Sequence, residues 1–250
     1  MYLEDEKFRN MNEEMNVLAE LVAETHINTL SSDAILTADG YANKEGLKDA
    51  LVKIDTAHWN GNLEAMLTRG AYIYTALHKQ EVVGVIILMR LTEEIPTAID
   101  SPKMPLVRKV TFPDSADLEA VKEYAQSDEK DKEFMHQLRC NVNSLLGYRD
   151  AGELWELCGF GVKEKFRHQG IGRTLVKHAL SQVPVGDRVI IHAEPSVEAM
   201  YQHMGFQYAM SESGTGYSIT LRPEWESGRI DLVFPMMILQ KKEAGVSRDS

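Results

Sequence analysis

Arg167-His168-Gln169-Gly170-Ile171-Gly172-Arg173-Thr174 is the stretch of this chain whose composition points most directly to chemistry. An apolar run ends just before it, and a helical pattern with Ile171, Leu175 and Leu180 begins inside it, so the octapeptide carries a strand into a helix. The first amides of a helix have no intrahelical partner, and the macrodipole adds about half a positive charge there, which suits an anion. Gly170 and Gly172 leave no Cβ between the backbone and a bulky phosphate. Arg167 and Arg173 can add charge-assisted contacts to the same oxygens. The stretch lacks the Gly-Lys-Ser/Thr ending of a nucleotide-triphosphate loop and the third glycine of a dinucleotide fingerprint, so both are excluded. Elsewhere, Glu156 is an acid inside an apolar strand, an uncommon place for one. Cys158, in the same strand, has no neighbouring base and reads as a small buried thiol. The eight histidines show no His-Glu-x-x-His spacing and the two cysteines no Cys-x-x-Cys, so no metal site is expected.

These residues need a scaffold to hold them. The central element is a strand at 153–163, feeding the turn and a helix that breaks before Pro184. Arg188–Ala193 reads as a short strand, Ser196–Met204 as a short helix stopped at Gly205, and Phe206–Met210 and Ile230–Leu239 as further strands. Upstream, Ala71–Leu77 and Val82–Leu91 form a hairpin across Lys79-Gln80-Glu81. Helical stripes run over 11–30 (Met11, Met15, Leu18, Val22, Thr25), over Asn43–Ile54, and over Asn62–Arg69 up to Gly70. Pro96, Pro102, Pro105 and Pro113 break the connection after the hairpin, and two charged helical patterns follow at 115–126 and 134–146. The charged run 128–133 is a solvated turn or a helix start. Residues 93–150 are therefore an insertion within one domain spanning 1–250, since so few large apolar side chains bury little by themselves. Strand–helix–strand–helix–strand after a hairpin implies a mixed sheet with helices on both faces.

The run Val162-x-x-x-x-Arg167-x-x-Gly170-x-Gly172 resembles the acetyl-CoA pyrophosphate motif of the GNAT superfamily of N-acetyltransferases. Ala199-Met200-Tyr201-Gln202-His203-Met204-Gly205-Phe206 is similar to that family's helix with a tyrosine before Gly-Phe, and Glu81–Ile86 to its third strand. The specific likeness covers about 71–92 and 153–210. It implies the GNAT fold, an α/β (α+β) architecture whose mixed central sheet splays between its fourth and fifth strands. It further implies that Phe160-Gly161-Val162 lies along the pantetheine arm of acetyl-CoA, pairing through the amides of Phe160 and Val162. The pyrophosphate would then rest on the amides from His168 through Gln169, Gly170, Ile171 and Gly172 to Arg173, with Arg167, the Thr174 hydroxyl and Ser196 as further contacts. An amide near Phe160 would face the thioester carbonyl as the oxyanion donor. Tyr201 sits where the family often places the acid that reprotonates the thiolate. The catalytic base is then Glu156, with Glu153 the alternative. Glu164 and Glu194 stand where the family commonly has proline and asparagine, and its opening strand is either absent or within 1–8.

Composition narrows the rest. The chain has 250 residues with 27 Lys and Arg against 38 Asp and Glu, a net charge of −11 that argues against general nucleic-acid binding. The longest apolar run, Val82–Met89, is far short of the ~20 residues of a membrane helix, and the acidic start Glu4-Asp5-Glu6 is unlike a signal peptide. A cytoplasmic protein is expected, of unspecified oligomeric state. The acid excess favours a small cationic amine as acceptor by long-range attraction. A peptide or protein amine, or a CoA-binding module without turnover, are the alternatives. Acidic residues of 93–150 and a loop at 211–229 are expected to line the amine entrance as a lid.

Overall fold

The computed structural model describes residues 2–4, 12–32, 47–91, 128–147, 152–221, 224–225, 228–229 and 232–242. The expected helix at 115–126 and the proline-rich connection lie outside them. The opening strand is present: β1 (Tyr2–Glu4) pairs antiparallel with β2 (Tyr72–His78). The hairpin to β3 (Glu81–Leu91) turns on Lys79 and Gln80, both at positive φ (49° and 70°), the twist a two-residue hairpin needs. β3 runs antiparallel to β4 (Leu154–Val162), and β4 runs parallel to β5 (Arg188–His192). β6 (Gln207–Tyr208) and β7 (Ser218–Leu221) both pair with the last long strand, Leu232–Gln240, which closes against β5. Between them β8 (Glu224–Trp225) and β9 (Gly228–Arg229) form a separate hairpin, so the last long strand is β10. Eight strands thus make one mixed sheet among the described residues, as the resemblance implies.

Helices cover both faces. α1 (Asn12–Ser32) and α2 (Leu47–Thr68) pack Leu18, Leu21, Val22 and Leu63 on Ile73, Val85 and Ile87. α3 (Asp128–Leu146) continues that face, setting Val142 and Leu145 against Leu154, Ile190 and Met236. On the other face α4 (Ile171–Gln182) and α5 (Glu198–His203) bury Ile171, Leu175, Val176, Ala179 and Tyr201 against Ile86, Leu88, Leu157, Val189 and Ile191. β3 is apolar on both sides because it is covered on both sides.

Three differences from the sequence reading have physical causes. The two helices expected over 43–69 are one, α2. Its buried face carries Asp55 between Leu51 and Leu63, so the apolar stripe looks interrupted although the helix is not. The carboxylate is tolerated there because His26 Nδ1 of α1 lies 2.9 Å from Asp55 Oδ2. The helix expected at 134–146 begins at Asp128, so the charged run 128–133 is a helix start, one of the two readings given for it, and the helix buries Val142 and Leu145 in the core. The expected loop 211–229 contains β7, β8 and β9, with Tyr217-Ser218-Ile219-Thr220 supplying the β-branched and aromatic residues a strand favours.

Candidate active site

β4 and β5 share only three rungs, Leu154–Arg188, Trp155–Val189 and Glu156–Ile190. Beyond Glu156, β4 continues to Val162 with β3 on one side and, among the described residues, no strand on the other, while β5 stays paired with β10. The closed end of this splay is fixed by Asp187. Its carboxylate accepts from Trp155 Nε1 at 2.9 Å and from the Glu153 amide at 3.0 Å, while the Arg188 amide donates to Glu153 O at 2.8 Å.

A bulge then re-aims the strand. Val85 faces Gly161 and Ile87 faces Cys158, so Gly159 and Phe160 together oppose Ile86. Gly159 takes φ +53° there, and an ideal Cβ would lie 2.3 Å from Ile87 Cδ1. Before the bulge, odd-numbered residues face β5. After it the parity is reversed, because the Lys163 amide bonds Val83 O at 3.0 Å and leaves the amides of Phe160 and Val162 facing the open side. Val162 O accepts from Arg167 Nε at 3.0 Å, which folds the arginine back over the strand end.

The turn continues through a 3₁₀ segment, Glu164–Phe166, to Gly170, the N-cap of α4. Gly170 is left-handed (φ +80°) and His168 shares that region at +60°, so successive amides curve outward. Among the described residues no side chain caps α4, and its first helical bond runs from the Thr174 amide to Gly170 O at 3.0 Å. The amides of Ile171, Gly172 and Arg173 therefore lack intrahelical partners. His168, Gln169, Gly170 and Arg173 are exposed, whereas the Ile171 side chain is in the core.

Several residues of the strand and turn also have contacts within the fold itself. A Cβ on Gly172 would lie 2.8 Å from Phe160 Cζ, so this glycine makes room for an aromatic ring of β4. A Cβ on Gly161 would lie 2.8 Å from Thr25 Oγ1 and 3.1 Å from Leu21 O, so its bareness serves the crossing of α1. The Thr174 hydroxyl is already donated to Gly170 O at 3.0 Å. Lys163 and Lys165 sit on Glu81 Oε1 at 3.0 and 3.1 Å, and they hold its carboxyl below the usual range.

The acid–base candidates separate clearly. Glu153 pairs with Arg90 at the surface. Glu156 is buried on the α1–α3 face, at the last rung before the splay. Cys158 lies on the same face, and burial together with Glu156 pushes its thiol well up, which keeps it from acting as a thiolate nucleophile. Tyr201 is 1 % exposed, with its ring 5.5 Å from Phe206, and burial plus the charge of Glu194 push its phenol up. Ser196 is exposed in the turn after β5, on the other lip of the splay. His192, from sequence only a strand residue, has its Nδ1 3.8 Å from Glu156 Oε1 across the seam. Its neighbour is 36 positions away along the chain, and only the pairing of β4 with β5 brings the two together.

Comparison with known families gives one match over this region: residues 101–219 match the model of an acetyltransferase (GNAT) domain. Among solved structures, the chain is similar to smu.2055 of Streptococcus mutans UA159 (15 % identity, 96 % of this chain and 99 % of that one, TM-score 0.47). It is also similar to the PaiA N-acetyltransferase of Thermoplasma acidophilum in complex with coenzyme A (12 %, 97 % and 99 %, 0.46). A third is a GNAT family acetyltransferase of Elizabethkingia anophelis with acetyl-CoA bound (16 %, 72 % and 81 %, 0.35). No curated protein matches.

Proposed function

From a chain whose residues 101–219 match a GNAT acetyltransferase domain, we propose an N-acetyltransferase that moves the acetyl group of acetyl-CoA to a small cationic primary amine, the whole chain working as a single domain. The observation that carries this reading is the three-rung seam between β4 and β5, opening onto two outward-facing amides and an uncapped helix N-terminus. An extended amide-bearing arm fits beside β4 as another strand would, and a pyrophosphate fits the α4 terminus at its end. In this reading Phe160 and Val162 offer amides to the arm. The amides from His168 to Arg173 take the pyrophosphate, with Arg167 and Arg173 as cationic partners, and the amide at the bulge faces the thioester oxygen.

The acceptor nitrogen must be a free amine to attack. An alkyl amine of pKa near 10.4 is free in about one molecule in 2,500 at pH 7, a handicap of roughly 4–5 kcal/mol. Glu156 is the carboxylate beside the opening of the seam that favours loss of that proton. A buried Tyr201 keeps its phenolic proton across the neutral range, as a donor to the departing thiolate must. The same burial favours a second reading, a CoA-binding module in which Tyr201 is only core.

Thermal unfolding with acetyl-CoA, then a mass-spectrometric screen with 1,5-diaminopentane and the tripeptide Ala-Ala-Ala, separates these readings. At about 100 times Kd the cofactor adds roughly 2.7 kcal/mol, a Tm rise of about 5–10 °C for a chain of this size. Acetylated diaminopentane supports the proposal, and acetylated tripeptide alone moves the acceptor to peptides. A thermal shift without product leaves the binding module, and no shift removes the cofactor site.

A further inference from the structure

We infer that His192, through Nε2, is the group that takes the proton from the acceptor amine, with Glu156 as the residue that positions it. This rests on the transferase reading above. β5 carries Arg188, Ile190 and His192 on one face, and Ile190 is the last of them with a partner on β4. Past the seam, His192 is thus the first β5 side chain on the face of Glu156. Both side chains are nearly buried, at 11 % and 12 % exposure, with Nδ1 and Oε1 3.8 Å apart. That separation exceeds a hydrogen bond, and catalytic contacts of this kind commonly tighten only with substrate in place.

An imidazole has two ends. With Nδ1 toward a carboxylate, the favoured neutral tautomer holds its proton on Nδ1 and leaves a lone pair on Nε2, pointing away from Glu156. That Nε2 is buried and has no hydrogen-bond partner among the described residues. A polar atom stranded in this way is costly, so a native fold keeps one where a ligand or a bridging water meets it. A carboxylate, an imidazole and an unpartnered lone pair are the parts from which the base half of a nucleophile-activating dyad is built. Among the described residues, the groups around the ring are as follows. Cys158 neighbours Glu156 on β4, β10 places apolar Met236 opposite His192, α3 brings Val142 and Leu145 to the adjoining core, and Arg188 and Glu194 flank it along the chain.

The step balances without a further reactant. R–NH3⁺ gives one proton to His192 Nε2, and the imidazolium is stabilised by Glu156. The free amine attacks the thioester carbonyl, the C–N bond forms and the C–S bond breaks. The second proton lost from nitrogen ends on the CoA sulfur, and His192 returns its proton to solvent.

The test uses the full chain, acetyl-CoA and 1,5-diaminopentane, with His192→Gln. His192→Gln should lower kcat about 10²-fold or more, while acetyl-CoA Kd and Tm stay close to wild type. The acidic limb of the wild-type pH–rate profile should be lost in that variant. Histidine-selective nitrogen NMR should show His192 as the Nδ1–H tautomer in the wild type. Unchanged kcat and pH profile in His192→Gln, with wild-type turnover intact, overturns the inference alone. An Nε2–H tautomer also overturns it, whatever the turnover. No transfer by the wild type to any amine overturns the transferase reading and takes the inference with it.

Discussion

Gly172→Ala distinguishes two accounts of the same residue. If the glycine exists so that a phosphate can approach, alanine in the free protein should be harmless. Alanine replaces the poorest helix former but proline at the second residue of α4, a gain of about 0.5–1 kcal/mol. The structure sets a different expectation. The new methyl carbon would start 2.8 Å from Phe160 Cζ, and ordinary contact requires the ring edge to retreat by about 0.6 Å. Phe160 is packed against the core on the bulge, so its retreat also moves the β4 backbone. Overpacking of this kind costs about 1–3 kcal/mol. The net expectation is a loss of about 0.5–2 kcal/mol, or a Tm fall of roughly 2–6 °C. Urea unfolding of wild type, Gly172→Ala, Phe160→Leu and the double variant should give a coupling of about 1–2 kcal/mol, with alanine stabilising once the ring is gone. A stabilised Gly172→Ala single variant, or coupling near zero, would refute the packing account. Loss of CoA binding without loss of stability would restore the phosphate account.

Other expectations follow from particular contacts. Asp187→Ala strands the Trp155 indole N–H and the Glu153 amide, and should lower stability by about 3 kcal/mol in denaturant titration. An Asp187→Asn variant that retains one acceptor should lose less. The Tyr201 phenol and Cys158 thiol are raised by burial, so the folded state keeps protons that the unfolded chain sheds near pH 10 and 9 respectively. Stability is then full below those values and falls as pH rises through them, by about 1.4 kcal/mol per unit for each group. Tyr201→Phe should flatten the part of that fall above pH 10, and a wild-type stability flat to pH 11 would contradict the burial. In turnover the same variant should lower kcat about 10²-fold with acetyl-CoA affinity nearly intact, and equal activity would return Tyr201 to the core. Gly170→Val forces a β-branched residue into φ +80° with no packing clash, so its cost of about 1–2 kcal/mol should come with weakened acetyl-CoA binding.

The parts legible in the sequence share a property: they are local. The hairpin, β4, the Gly-x-Gly turn and α4 each declare themselves through period, β-branching or a breaker within a dozen residues. The splay between the fourth and fifth strands is different, since it entered through a family likeness rather than through periodicity. What escaped depends on distant partners. Asp55 hides the continuity of α2 because its compensation, His26, lies on another helix. Gly172 was legible as a glycine but its reason was not, since the ring it accommodates sits beyond the turn on β4. β7 to β9 are too short to outweigh the surrounding polar residues. His192 looks like any strand residue until β4 is laid beside it.

A sheet held across its middle by three rungs is mechanically two plates with a crack between them. One plate is built from β1 to β4, the other from β5, β6, β7 and β10, and each is contiguous in sequence except for the last crossing. α3 spans the crack on one face, touching Leu154 on one side and Ile190 and Met236 on the other, and Asp187 pins its root. Whatever fills the open part becomes a splint between the plates. Amide exchange along Leu157–Val162 and at the β5 end should therefore slow together when acetyl-CoA is added, while β2 and β3 stay unchanged. Occupancy of the site and cohesion of the molecule are then one quantity read in two ways.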